Sequence, residues 1–110
     1  MGRRLLLLPL LATLASGTAS AQDAPPGDPA AGRELARRLC SSCHLVSPEQ
    51  RGPVPDGVPS LMAIAARPGT TADRLAEAMI APPHPAMPPP PLGRRQMRDV
   101  AAYILSLRPR

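Results

Sequence analysis

The chain holds two cysteines, and they sit together in Cys40-Ser41-Ser42-Cys43-His44. No other feature constrains the fold as much. A Cys-x-x-Cys-His run marks covalent attachment of a c-type haem. Two thiols must reach two vinyl groups on one porphyrin edge, and the next residue must bring an imidazole under the iron. That imidazole is then the proximal ligand. Three other readings compete. A Cys40–Cys43 disulfide would close a very short loop and stabilise little. A thioredoxin-like redox pair wants a βαβ setting, and nothing in this chain reads as a strand. A zinc site would need two more ligands at suitable spacing, and only His84 is on offer. The pattern therefore points to one covalently attached haem c per chain.

The rest of the composition fits a domain built on such a group. Of 110 residues, one is Tyr and none is Phe or Trp. Aromatic side chains supply much of an ordinary core. Small domains with little interior often lean on a disulfide, a metal or a cofactor. A large flat apolar body must come from outside the polypeptide.

The N-terminus reads as an export signal. Met1-Gly2-Arg3-Arg4 is cationic, Leu5 to Ala15 is apolar, and Ala19-Ser20-Ala21 has a small-x-small cleavage form. The apolar run is short for a membrane span and Pro9 interrupts it. Residues 1–21 are thus expected to be cleaved near Ala21. Residues 22–27 form a flexible leader, and 28–110 the domain. This places the mature chain in the periplasm, without stable membrane insertion. Every basic residue is Arg, and removing Arg3 and Arg4 leaves eleven against eight acids. No basic cluster is interleaved with aromatics, which excludes nucleic acid as the expected partner. A mild positive surplus suits transient docking on redox partner proteins with an acidic docking surface.

The segment patterns are helical. Asp28-Pro29 is an N-cap followed by Pro at the first helical position, opening a helix through Cys40. Within it, Gly32 and Ala36 lie one turn apart. They either let another helix come close or leave a weak spot in a surface helix. Residues 45–59 hold Pro48, Gly52, Pro53, Pro55, Gly57 and Pro59, which is a loop composition. Ser60 to Ala66 predicts a short helix. Thr70-Thr71-Ala72-Asp73 starts another over 71–81. From Gly93 to Leu107, Met97, Val100, Ala101, Ile104 and Leu107 make one apolar face.

Between the last two helices lies Ala81-Pro-Pro-His84-Pro-Ala-Met87-Pro-Pro-Pro-Pro-Leu-Gly93. Met62, Met79 and Met97 sit in helical segments, where Met is usually filler. Met87 sits in a loop that proline stiffens, so a weak thioether could be held on iron at low entropic cost. His84 is the other candidate for the sixth position, although a lone loop histidine is more often solvated.

Taken together these residues resemble the small bacterial class I c-type cytochromes. The matching pieces occur in family order: a Gly-containing first helix, Cys40-Ser-Ser-Cys43-His44, Pro59-Ser60-Leu61, Met87-Pro88, and a last helix with Ala-Ala-Tyr103-Ile-Leu-Ser-Leu. The resemblance runs from about Asp28 to Leu107. It implies an all-α cytochrome c fold, four or so short helices wrapped around one haem. It also implies thioethers at Cys40 and Cys43, His44 and Met87 as axial ligands, and one-electron transfer rather than enzymatic catalysis. The proximal His of the family donates its ring N–H to a proline carbonyl. Pro59 is the match here, and Pro53 is the alternative. The Gly32–Ala36 face would cross the last helix near Tyr103. One departure is the missing aromatic in the first helix, so packing there must be aliphatic, through Leu35, Leu39, Ile104 and Leu61. Two other functions fit the same motifs. The chain could be the haem subunit of a larger periplasmic dehydrogenase or oxidase. It could also be a five-coordinate haem sensor or peroxidase-like protein, against which Met87 argues.

Overall fold

A computed structural model describes residues 1, 2, 12, 14–17 and 26–110. Most of the export signal read from residues 1–21 and most of the leader lie outside the described residues. Among those described, all regular structure is helical: α1 Pro29–Leu39, α2 Leu61–Ala66, α3 Ala72–Ile80 and α4 Arg94–Ser106. This is the all-α architecture that the segment patterns imply, with element ends within a residue of expectation.

The helix starts follow from local chemistry. The first backbone N–H groups of a helix lack intrahelical acceptors and need a side chain to accept from them. Asp28 accepts from the Ala30 N–H at 2.9 Å, with Pro29 at the first position. Ser60 accepts from the Ala63 N–H at 3.0 Å, and Thr71 from the Arg74 N–H at 3.2 Å. Gly93 has no side chain to offer. Instead its own N–H donates to Gln96 Oε1 at 3.0 Å. Helix α3 stops at Ile80, two residues ahead of Pro82-Pro83, because the residue before proline is pushed out of the helical region.

Helices α1 and α4 cross closely, and Gly32 is the reason. A Cβ on Gly32 would overlap the Asp99 main-chain carbonyl and lie 2.9 Å from Tyr103 Cβ. Of the two readings of Gly32, the close crossing holds. Asp99 adds a second tie, accepting the Asp28 N–H through Oδ1 at 2.8 Å. The cap of the first helix thus hangs from the last one.

The core gathers Leu35 and Ala36 from α1, Leu61 and Ala65 from α2, Leu75 and Met79 from α3, and Val100, Ala101, Tyr103 and Ile104 from α4. Each fully buried large aliphatic contributes about 1.5–3 kcal/mol. Met97 and Leu107 extend the apolar face of α4 as half-buried partners. Leu39 departs from expectation. It is 40% exposed on the polypeptide, whereas Leu35, Leu61 and Ile104 are buried. Helix α1 ends at Leu39, beyond the crossing with α4, and Val46 from the following loop fills the core there at 2% exposure.

Candidate functional site

The Cys-x-x-Cys-His run continues the last turn of α1. Cys40 caps that helix, its N–H donating to the Ala36 carbonyl. The Cys40 carbonyl then accepts from the N–H groups of both Cys43 and His44, at 3.2 and 2.9 Å. Residues three and four apart on such a turn face the same way. The turn therefore brings Cys43 and His44 each back beside Cys40. The Ser41 hydroxyl donates to the Arg37 carbonyl at 2.5 Å, tying the turn back to α1.

Both cysteines are free, Cys40 half-buried and Cys43 exposed, so the disulfide reading fails. Burial pushes the Cys40 thiol above its ordinary pKa, and the neighbouring Cys43 adds to the shift. The zinc reading finds no support either. Among the described residues no three His, Cys, Asp or Glu side chains cluster.

His44 Nδ1 lies 2.6 Å from the Pro59 carbonyl oxygen. A carbonyl can only accept, so Nδ1 is the donor, and in the neutral ring Nε2 then carries the lone pair. Between the two prolines considered, the ring reaches Pro59. Delivering that carbonyl takes a turn at Asp56-Gly57, where Gly57 has φ 78°, a conformation suited to glycine. The Leu61 N–H then donates to the Leu45 carbonyl at 2.9 Å, pinning the start of α2 to the residue after His44.

Two further side chains secure the same segment. The Tyr103 hydroxyl donates to the Val46 carbonyl at 2.5 Å, and Gln50 Oε1 accepts the Val46 N–H at 2.8 Å. Gln50 Nε2 reaches the carbonyls of Ser41 and His44, at 3.2 and 3.3 Å. Sequence reasoning missed Gln50, which lies in a loop without periodicity. It also missed Asp99. The signal for Asp99 is its place one turn before Tyr103 on the strip of α4 that Gly32 meets.

Met87 is half-buried in the proline loop, and His84 is exposed. The Met87 N–H donates to the His84 carbonyl at 3.0 Å, closing a turn. The His84 ring is engaged within that turn, its Nδ1 accepting the Ala86 N–H at 3.1 Å. Met79 is buried in the core, and Met62 and Met97 are half-buried on their helices, which accords with their reading as filler.

The donor set suits a covalently held haem. Two free thiols and an imidazole whose Nδ1 is engaged by a carbonyl share one turn, and a half-buried thioether sits in a separate proline-rich loop. No helix among the described residues is long and apolar enough to cross a membrane. The family described as Cytochrome c matches residues 29–108. Among curated proteins, cytochrome c-552 of Bradyrhizobium diazoefficiens is 43% identical over 100 residues, covering 91% of each chain.

Proposed function

The chain belongs to the cytochrome c family, and from that premise we propose that it is a periplasmic monohaem carrier, soluble once its export signal is cleaved. It would pass single electrons between partner proteins through a haem ligated by His44 and Met87. The observation that carries this reading is the His44 Nδ1–Pro59 hydrogen bond, one residue beyond the paired free thiols. It fixes the tautomer and leaves Nε2 as the ligand atom, while a partner on the other ring nitrogen raises ligand basicity.

Family membership implies covalently attached haem c. When bound, it supplies a one-electron ferric–ferrous couple. Cys40 and Cys43 would hold it by thioethers, so it would not dissociate during turnover, and His44 and Met87 would supply its two protein ligands. A thioether is a soft donor that favours the ferrous state, so this pair gives a positive reduction potential. The turn from His84 to Met87, with proline on both sides, limits the freedom the sulfur loses on ligation. Redox partners would meet a mildly basic surface built only from arginine.

A visible and near-infrared spectrum with a potentiometric titration tests the proposal. It predicts a low-spin ferric protein with a far-red sulfur-to-iron charge-transfer band at neutral pH, and a positive midpoint. Absence of that band would remove Met87 as ligand. High-spin, five-coordinate iron would favour a sensor or peroxidase-like protein instead.

A further inference from the structure

We propose that Gln50 is a positioning residue for His44, setting the orientation of the imidazole plane. The inference rests on His44 being the proximal ligand.

Gln50 is a half-buried residue in the loop after the attachment turn. Its amide is spread over three main-chain groups. Oε1 takes the Val46 N–H at 2.8 Å, and Nε2 donates to the Ser41 carbonyl at 3.2 Å and the His44 carbonyl at 3.3 Å. These three groups lie before, at and after the ligand. One side chain therefore bridges the stretch from Ser41 to Val46 across His44.

The His44 ring is held at one end by Pro59. That single contact fixes the Nδ1 position but leaves the ring free to swing with its own main chain. Gln50 removes this freedom by anchoring the His44 carbonyl itself. Tyr103 completes the arrangement from the other side, since its hydroxyl donates to the Val46 carbonyl at 2.5 Å. Val46 thus has its N–H bound by Gln50 and its C=O bound by Tyr103, and its side chain is buried in the core. The amide is short and its three partners are all main chain, so its geometry responds to the path of the segment rather than to a mobile side chain. Apolar residues of similar size could fill this position, but none could hold a donor and an acceptor together.

The test uses the mature haem-loaded protein. Gln50→Met keeps the side-chain length and removes all three hydrogen bonds. The hyperfine-shifted haem methyl resonances of the ferric protein report the orientation of the imidazole plane. Their spread and order are expected to change in Gln50→Met, and the midpoint potential to move with them. Arg108→Met serves as control. It removes hydrogen bonds to the Ala65 and Thr70 carbonyls, away from the attachment turn, and should lower stability while leaving the methyl pattern as in the native protein. A native methyl pattern and native potential in Gln50→Met would overturn the proposal. If that variant does not accumulate, hydrogen exchange on the native protein decides. The Val46 amide should be protected, and exchange at the rate of an open loop would refute the bridge. A native protein without imidazole-ligated low-spin iron would instead refute the carrier reading, before any Gln50 variant is made.

Discussion

The Tyr103 hydroxyl and the Val46 carbonyl meet at 2.5 Å across 57 residues of sequence. This bond joins the last helix to the segment two residues beyond His44. Tyr103 is the only aromatic residue in the chain, and it is spent on holding this segment.

Tyr103→Phe should therefore act locally as well as globally. It leaves the Val46 carbonyl without that donor, at a cost of about 1–3 kcal/mol. Chemical denaturation of the haem-loaded protein measures the loss.

The burial of Tyr103 predicts an alkaline transition. Burial raises the Tyr103 pKa above its ordinary value, Glu49 adds to this, and Arg33 opposes it. A raised folded-state pKa gives stability that is fully present below the unfolded value of ~10 and is lost as pH rises through the folded value. A tyrosinate cannot donate to Val46. Stability should fall on the alkaline side of pH 10, and Tyr103→Phe should lack this component. Because the chain has a single Tyr, a tyrosinate titration by difference absorbance is unambiguous.

Gly32→Ala should be far worse than an average surface change. The added methyl would collide with the Asp99 carbonyl, which is main chain and cannot rotate away. Helices α1 and α4 would have to separate, at a cost of about 3 kcal/mol or more. Gly52 is the control, since a Cβ there meets nothing within 4 Å. Gly52→Ala suffers only backbone strain from its φ of 111°, about 1–3 kcal/mol. Thermal melts of both variants would show the order.

Asp99→Ala removes the acceptor for the Asp28 N–H and unfastens the cap of α1. The expected cost is about 1–2 kcal/mol. Asp99→Asn keeps an oxygen acceptor and should lose less. Amide exchange at Ala30 and Ala31 would report the fraying directly.

On the proposed ligation, Met87→Ala should abolish the far-red charge-transfer band and lower the potential, since a thioether donor favours ferrous iron. His84→Ala should leave the band in place while loosening the turn, because the ring only accepts the Ala86 N–H. Loss of the band in the histidine variant, with Met87 intact, would assign His84 rather than Met87 to the iron.

Much of this was legible in the chain itself. Cys40-Ser-Ser-Cys43-His44 announces its chemistry because the spacing is set by the porphyrin edge, not by the fold. Helix ends were legible because capping is local: Asp28, Ser60 and Thr71 act on N–H groups two or three residues away. The apolar face of α4 follows from its period. What the sequence could not declare are pairings across long separations, or within a loop that has no periodic pattern. Asp99 with Asp28 and Tyr103 with Val46 depend on where the chain returns in space, and Gln50 with Ser41, His44 and Val46 on how an irregular loop folds back. The exposure of Leu39 also depended on where α4 runs. The choice of Pro59 over Pro53 as partner of His44 was likewise made by the turn at Gly57 and by the tie between Leu45 and Leu61. Local chemistry determined what the residues are able to do. Only the tertiary structure decided which carbonyl orients the imidazole, because that requires two distant backbone segments to be held at hydrogen-bond distance.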